Sequence, residues 1–235
     1  MCMWNFIKNI FSSNTIKTTS FFTLYSKIAK WKSAKVFPFS FNLPEAISFP
    51  ESFWKDVIKI YKMTDSDGKE RAISVWYADK ELIVTSVTKG DETSVVTKDS
   101  ISVRYIPHPT KKKYYRKEVF VNKKLIKKVD VYYEKAPKKI EIAYLFNMHT
   151  HPKYSRDDGQ VSYSFFSVQD IRSLISSQAI MTGLVTDKLW LLMRTSDTPS
   201  TVSYKDSDIL TVDTLKNDMK LGVYCAEFNR KAIKQ

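Results

Sequence analysis

Asn147-Met148-His149-Thr150-His151-Pro152, followed by Ser167-Val168-Gln169-Asp170, decides how the rest of the chain is read. The chain has three histidines, and two of them stand one residue apart here. The residues before them, Lys139 to Phe146 (KIEIAYLF), are apolar and partly β-branched or aromatic, which argues for a buried strand. On a strand, residues i and i+2 share a face, so His149 and His151 would aim both imidazoles at one point. Two neutral imidazoles and one carboxylate make three of the four ligands of a catalytic zinc, with the fourth left to water. Asp170 is the candidate carboxylate. Plainer readings stand beside this one. A His-x-His can be two polar residues at a strand end. Ser167-x-x-Asp170 before Ile171 and Leu174 also fits a helix capping box, worth about 0.5–2 kcal/mol and carrying no chemistry.

Upstream, Ser48-Phe49-Pro50-Glu51 reads as a helix start with Ser48 as cap, and Phe53, Trp54, Val57, Ile58 and Tyr61 then recur at helical spacing. Asp65-Ser66-Asp67-Gly68 breaks the helix. Lys69–Tyr77 and Glu81–Val87, joined at Ala78-Asp79-Lys80, read as a two-stranded hairpin. Residues 88–138 read as a long insertion. Within it Lys111–Lys128 (KKKYYRKEVFVNKKLIKK) holds nine basic residues and one acidic, with Tyr114, Tyr115 and Phe120 interleaved and a turn at Asn122-Lys123. Such a hairpin can be a solvated, edge-protecting element. It can equally be a binding surface for a protein partner, for nucleic acid or for an anionic membrane surface through Lys111, Lys112, Lys113, Arg116, Lys123 and Lys124. His108, between two prolines, reads as ordinary loop. Downstream, Lys153–Phe166 reads as a polar loop, and a short helix runs from Asp170 to about Ser177. Ala179–Thr186 and Leu189–Thr195 read as strands. Ile209 to about Phe228 reads as an amphipathic closing helix, with Leu215 and Met219 four apart.

Strands and helices mixed in this order place the chain in the α/β (α+β) class. Its 235 residues suit one domain, expected to begin near Val36, preceded by a basic extension over residues 1–35. No acidic residue occurs before Glu45. Met3–Phe11 could form a short amphipathic helix, so the extension could pack on the domain, lie on a membrane surface or act in targeting. The net charge of +13 favours anionic partners and says nothing about fold. The two cysteines, Cys2 and Cys225, form no metal motif and no disulfide framework, so a reducing, cytoplasmic setting is expected. No run of about 18 apolar residues predicts a transmembrane helix.

His-x-His-Pro closing a strand, then Ser-x-x-Asp opening a helix, resembles the central motif of the JAB/MPN (JAMM) zinc hydrolases. The interval between His151 and Asp170 is longer here than is usual in that family. The resemblance implies a cytidine-deaminase-like fold, a central mixed sheet flanked by helices, here with a β insertion. It implies one zinc per chain held by His149, His151 and Asp170. It implies a glutamate after a helix, at the start of the first core strand, as general base; Glu70 stands in that place, and Glu81 is its nearest rival. The glycine-rich tail that the family usually gives this strand is replaced by Ile73-Ser74-Val75-Trp76. Ser167 would donate to the oxyanion. The expected reaction is hydrolysis of an amide in a peptide or protein substrate, ubiquitin-like tails among them. A non-catalytic scaffold of the same family and a nucleic-acid-associated protein remain as alternatives. No second zinc site is expected, because His108 is remote and no cysteine cluster exists.

Overall fold

The computed structural model describes residues 16–24, 43–79, 81–91, 99–135, 140–155, 157–177 and 179–235. The α-helices with both ends among these residues are α1 (Glu51–Asp67) and α2 (Val168–Ser176), and residues 21–24 are also helical. The strands are β1 (Thr18–Ser20), β2 (Ala46–Ser48), β3 (Arg71–Ala78), β4 (Glu81–Val84), β5 (Thr88–Lys89), β6 (Ile101–Pro107), β7 (Tyr114–Val121), β8 (Lys124–Tyr132), β9 (Ile142–Thr150), β10 (Lys153–Ser155), β11 (Val161–Tyr163), β12 (Met181–Val185), β13 (Leu189–Met193), β14 (Gly222–Ala226) and β15 (Ala232–Lys234). The main sheet runs β1-β2-β15-β14-β13-β12-β9-β3-β4, with β5 also on β3. It is mixed: β9 and β12 are parallel, while β3 and β9 are antiparallel. It is also curled, so that Phe22, just past β1, and Leu82 of β4 line one open cavity of about 400 Å³.

Alternation along the strands gives the sheet two apolar faces. Leu189, Leu191 and Met193 of β13 join α1 residues Phe53, Trp54, Val57 and Ile60 in one core. Leu192, with Trp190 packed alongside, joins α2 residues Val168, Ile171 and Leu174 in the other. Each such side chain contributes about 1.5–3 kcal/mol on burial, so these two faces anchor both helices. The resulting α/β architecture has a large curled mixed sheet and few helices.

At Gly183 in β12 the backbone passes very close to its neighbour. A Cβ there would lie 2.5 Å from Met148 Cγ on the paired strand β9 and 3.3 Å from Leu191 Cδ2. Met148 is fully buried and has nowhere to retreat. Gly183→Ala should therefore lower stability by about 1–3 kcal/mol, read as a fall in the urea midpoint with unchanged slope.

Several expectations need correction. α1 is capped by Pro50 with no side-chain hydrogen bond, so Ser48 is not its cap; Ser48 lies in β2. The helix does stop at Gly68, which takes φ +67 and returns its N–H to Thr64. Residues 16–24 belong to the domain body: β1 pairs with β2, and Phe21 and Leu24 are buried in the core, so the body begins before Val36. The amphipathic helix expected over 3–11 lies outside the described residues. The insertion starts later than Thr88, because β5 pairs with Arg71 and Ala72 of β3. β6, β7 and β8 then form a separate antiparallel sheet, turning at Asn122-Lys123 with φ +50 and +67. Lys153–Phe166 carries the β10–β11 hairpin rather than plain loop. Residues 209–228 do not form one helix. A single π-helical turn, Thr214–Asp218, is followed by β14, which pairs with β13. Among the described residues no helix is long and apolar enough to cross a membrane.

Candidate metal centre

The site forms at the carboxyl end of β9, beside its parallel neighbour β12 and facing the first turn of α2. The register of β3 on β9 explains its composition. Ala72 lies opposite His149, so the next residue of that face, Glu70, comes opposite His151. Arg71 and Thr150 lie between them and point to the other face. His151 has just left the strand, but its N–H still donates to the Val185 carbonyl at 3.2 Å, which holds it in line with β12.

His149 and His151 place their Nε2 atoms 3.1 Å apart. Asp170 Oδ1 is 3.3 Å from His149 Nε2. One ligand atom from each of the three residues lies within 4.8 Å of the others. A tetrahedral zinc with bonds of about 2.0–2.1 Å separates its ligand atoms by about 3.3–3.4 Å, close to the His149–His151 and His149–Asp170 separations, so the donor types and these two distances suit such an ion. His151 is also prepared for it. Its Nδ1 lies 2.9 Å from the Ser164 carbonyl, which can only accept. The ring proton therefore sits on Nδ1 and the Nε2 lone pair faces the site, an orientation that histidine ligands depend on. Burial and the charge of His149 hold the His151 pKa below its ordinary value, which keeps the ring neutral.

Asp170 divides its two oxygens. Oδ2 accepts from the Ser167 N–H and hydroxyl, each at 2.8 Å, while Ser167 Oγ accepts from the Asp170 N–H at 3.1 Å. This is a full capping box, and it leaves Oδ1 for the histidines. The cap and the candidate ligand are one residue. Burial raises the Asp170 pKa, but His149, the Ser167 N–H and His151 together outweigh it and hold the carboxyl well below the usual range. Burial lowers the His149 pKa, and the same pairing outweighs that in turn and raises it.

Glu70 Oε1 is 3.7 Å from His151 Nε2, and the residue is 5% exposed. Its backbone is fixed on both sides: its N–H donates to Asp91 O at 2.7 Å, and its carbonyl accepts from Gly90 N–H at 3.0 Å. Burial, which His149 partly offsets and Asp170 and Asp91 reinforce, pushes its carboxyl up to about 7. The rival Glu81 begins β4 and pairs with Ala78 at the far end of β3 and with Lys127, away from the histidines. His108 is also elsewhere. Its Nδ1 accepts from the N–H groups of Thr110 and Lys111, which folds the β6–β7 turn, and its Nε2 faces Asp130.

The basic insertion does not present one cationic track. Lys111, Lys112 and Lys113 lie at the β6–β7 turn, and Lys123 and Lys124 lie at the β7–β8 turn, at opposite ends of β7. Part of its charge is matched: Lys113 pairs with Glu134 and Arg104 with Glu118 within the insertion, Arg116 stands 4.0 Å from Asp130, and Lys127 pairs with Glu81 of β4. Three contributors to the site escaped the sequence: Ser164, whose carbonyl orients His151; Arg71, whose guanidinium donates to the carbonyls of Lys69 and Glu70; and Thr150. Only Thr150 carried a signal, its place inside the His-x-His pair. No protein-family model, no curated protein and no solved structure matches this chain.

Proposed function

We propose that the chain is a zinc-dependent amide hydrolase of the JAB/MPN type, cleaving a peptide or isopeptide bond in a peptide or protein substrate. One observation carries this reading: a buried carboxyl, Glu70, stands on the same face as a convergent His149, His151 and Asp170 set. A zinc ion in that set would supply a Lewis acid able to bring the pKa of a coordinated water from 15.7 towards about 7. Glu70, with a carboxyl already near neutrality, is suited to take a proton and return it to the leaving amine. Ser167 now gives its hydroxyl proton to Asp170 Oδ2, so it can serve a developing oxyanion only by rotating away from that bond. One such donor is worth about 2.7–4 kcal/mol of transition-state stabilisation. Retention of all three ligands and the base speaks against a non-catalytic scaffold. Binding of nucleic acid or an anionic membrane by the insertion has less behind it, since its cations are split between two ends.

Protein purified without added metal should carry about one zinc per chain. Glu70→Gln should keep that zinc and lose hydrolysis of amide substrates by about 10²–10⁴-fold, because the base is removed and the ligands are not. Zinc-free, well-folded protein that takes up none on titration would end this reading.

A further inference from the structure

We propose that Thr150 is a positioning residue that sets Glu70 against the metal ligands, a role that rests on reading the site as a metal centre. Alternation sends Thr150 to the face opposite His149 and His151, where it is fully buried. Its Oγ1 accepts from the Arg71 N–H at 2.8 Å and shares a 2.6 Å hydrogen bond with Thr64 Oγ1. It also lies 3.4 Å from the Arg71 carbonyl. The β3–β9 pairing stops at Ala72 and His149, so at the next position a side chain takes the place of a backbone rung. One hydroxyl thus joins three elements: β9 with the ligands, the last turn of α1, and the strand start that follows Glu70.

Arg71 completes the corner. Its guanidinium donates to the carbonyls of Lys69 and Glu70 and pairs with Asp67 Oδ2 at 2.6 Å, and Lys89 pairs with the same oxygen at 2.9 Å. The side chain of Arg71 therefore fixes the turn itself. Its amide, through Thr150, fixes where the turn sits against β9. A valine at position 150 fills the same space but cannot accept the buried N–H, whereas a serine can. His149 lies on Thr150's own strand and His151 directly follows it, held to β12 by its own N–H, so metal binding survives the loss of the hydroxyl while the approach of Glu70 does not.

The test compares wild type, T150V, T150S and E70Q, each loaded with Co(II). Metal stoichiometry, the visible spectrum at one fixed pH and amide exchange over residues 68–72 are read for each. T150V is expected to hold one Co(II), to show a spectrum displaced from wild type towards that of E70Q, and to exchange the Arg71 amide at least tenfold faster. T150S is expected to match wild type in all three. A T150V spectrum that overlays wild type while E70Q differs overturns the proposal and leaves the metal reading intact. Equal displacement in T150S and T150V assigns the effect to packing and also overturns it. So does an E70Q spectrum identical to wild type, since Thr150 then has nothing to position. Failure of the wild type to bind Co(II) removes the metal reading and this role together. Should T150V not fold, T150A removes the same hydroxyl, and a wild-type spectrum there overturns the proposal.

Discussion

Asp170→Ala is expected to empty the metal site and loosen α2 in a single step. Oδ1 faces His149 at 3.3 Å, while Oδ2 closes the capping box with Ser167. Losing the cap should cost about 0.5–2 kcal/mol of stability, visible in metal-free protein as a lower melting temperature. Losing the ligand should weaken zinc binding by more than the roughly 10–100-fold seen for outer-sphere partners. Asp170→Asn separates the two effects. Its amide oxygen can still accept from the Ser167 N–H, but it brings no charge to the metal, so zinc should be lost with the melting temperature held. Ser167→Ala is the converse: it loses the hydroxyl half of the cap and leaves Oδ1 in place, so zinc should stay. Stoichiometric zinc in Asp170→Ala would remove this residue from the ligand set and leave it a helix cap.

This dual use explains why two readings of one sequence pattern could both hold. Local rules were enough to bring His149, His151 and Asp170 together: i and i+2 on a strand, and a cap at a helix start. They also sufficed for Glu70, whose place between a helix stop and a strand start is written in Gly68 and the apolar run after it. They failed where distant pairing decides. Leu215 and Met219 have helical spacing, but β13 offers an edge to Gly222–Ala226, and pairing Val223 with Leu192 wins over the local pattern. Phe21 and Leu24 sit in a stretch that reads as a basic tail, yet both fill the core beneath the sheet. The β10–β11 hairpin was missed, although one signal for it was present. Asp158-Gly159, with Gly159 at φ +78, is a turn signal of the kind that joins two strands, and the polar composition around it concealed the short strands. The split of the basic run was not legible, because strand length alone carries its two halves apart.

Lys117→Met should detach the insertion while leaving the metal centre alone. Lys117 is 2% exposed, in the middle of a stretch that reads as a solvated basic hairpin. Its ammonium lies 3.0 Å from Asp79 Oδ2 and 3.5 Å from Glu81 Oε1, both on the β3–β4 hairpin. Asp79 also accepts from the hydroxyls of Tyr105 and Tyr133, so the carboxylate anchors both outer strands of the insertion region. Around this polar centre Val119 and Val121 pack on Ala78 and Ile83. Methionine keeps the stem and removes the charge, leaving Asp79 without its cation. Breaking a buried pair in this way costs about 3–5 kcal/mol, and the two phenols should hold the value to the lower end. Since the contact joins the insertion to the hairpin, amide exchange and proteolysis should rise over residues 101–132 and stay unchanged over β9, α2 and β12. Asp79→Asn added to Lys117→Met should recover part of the loss, because the stranded charge is then gone. Uniform loss of protection across the whole sheet would show that the insertion is part of the global folding unit and not a separately docked layer.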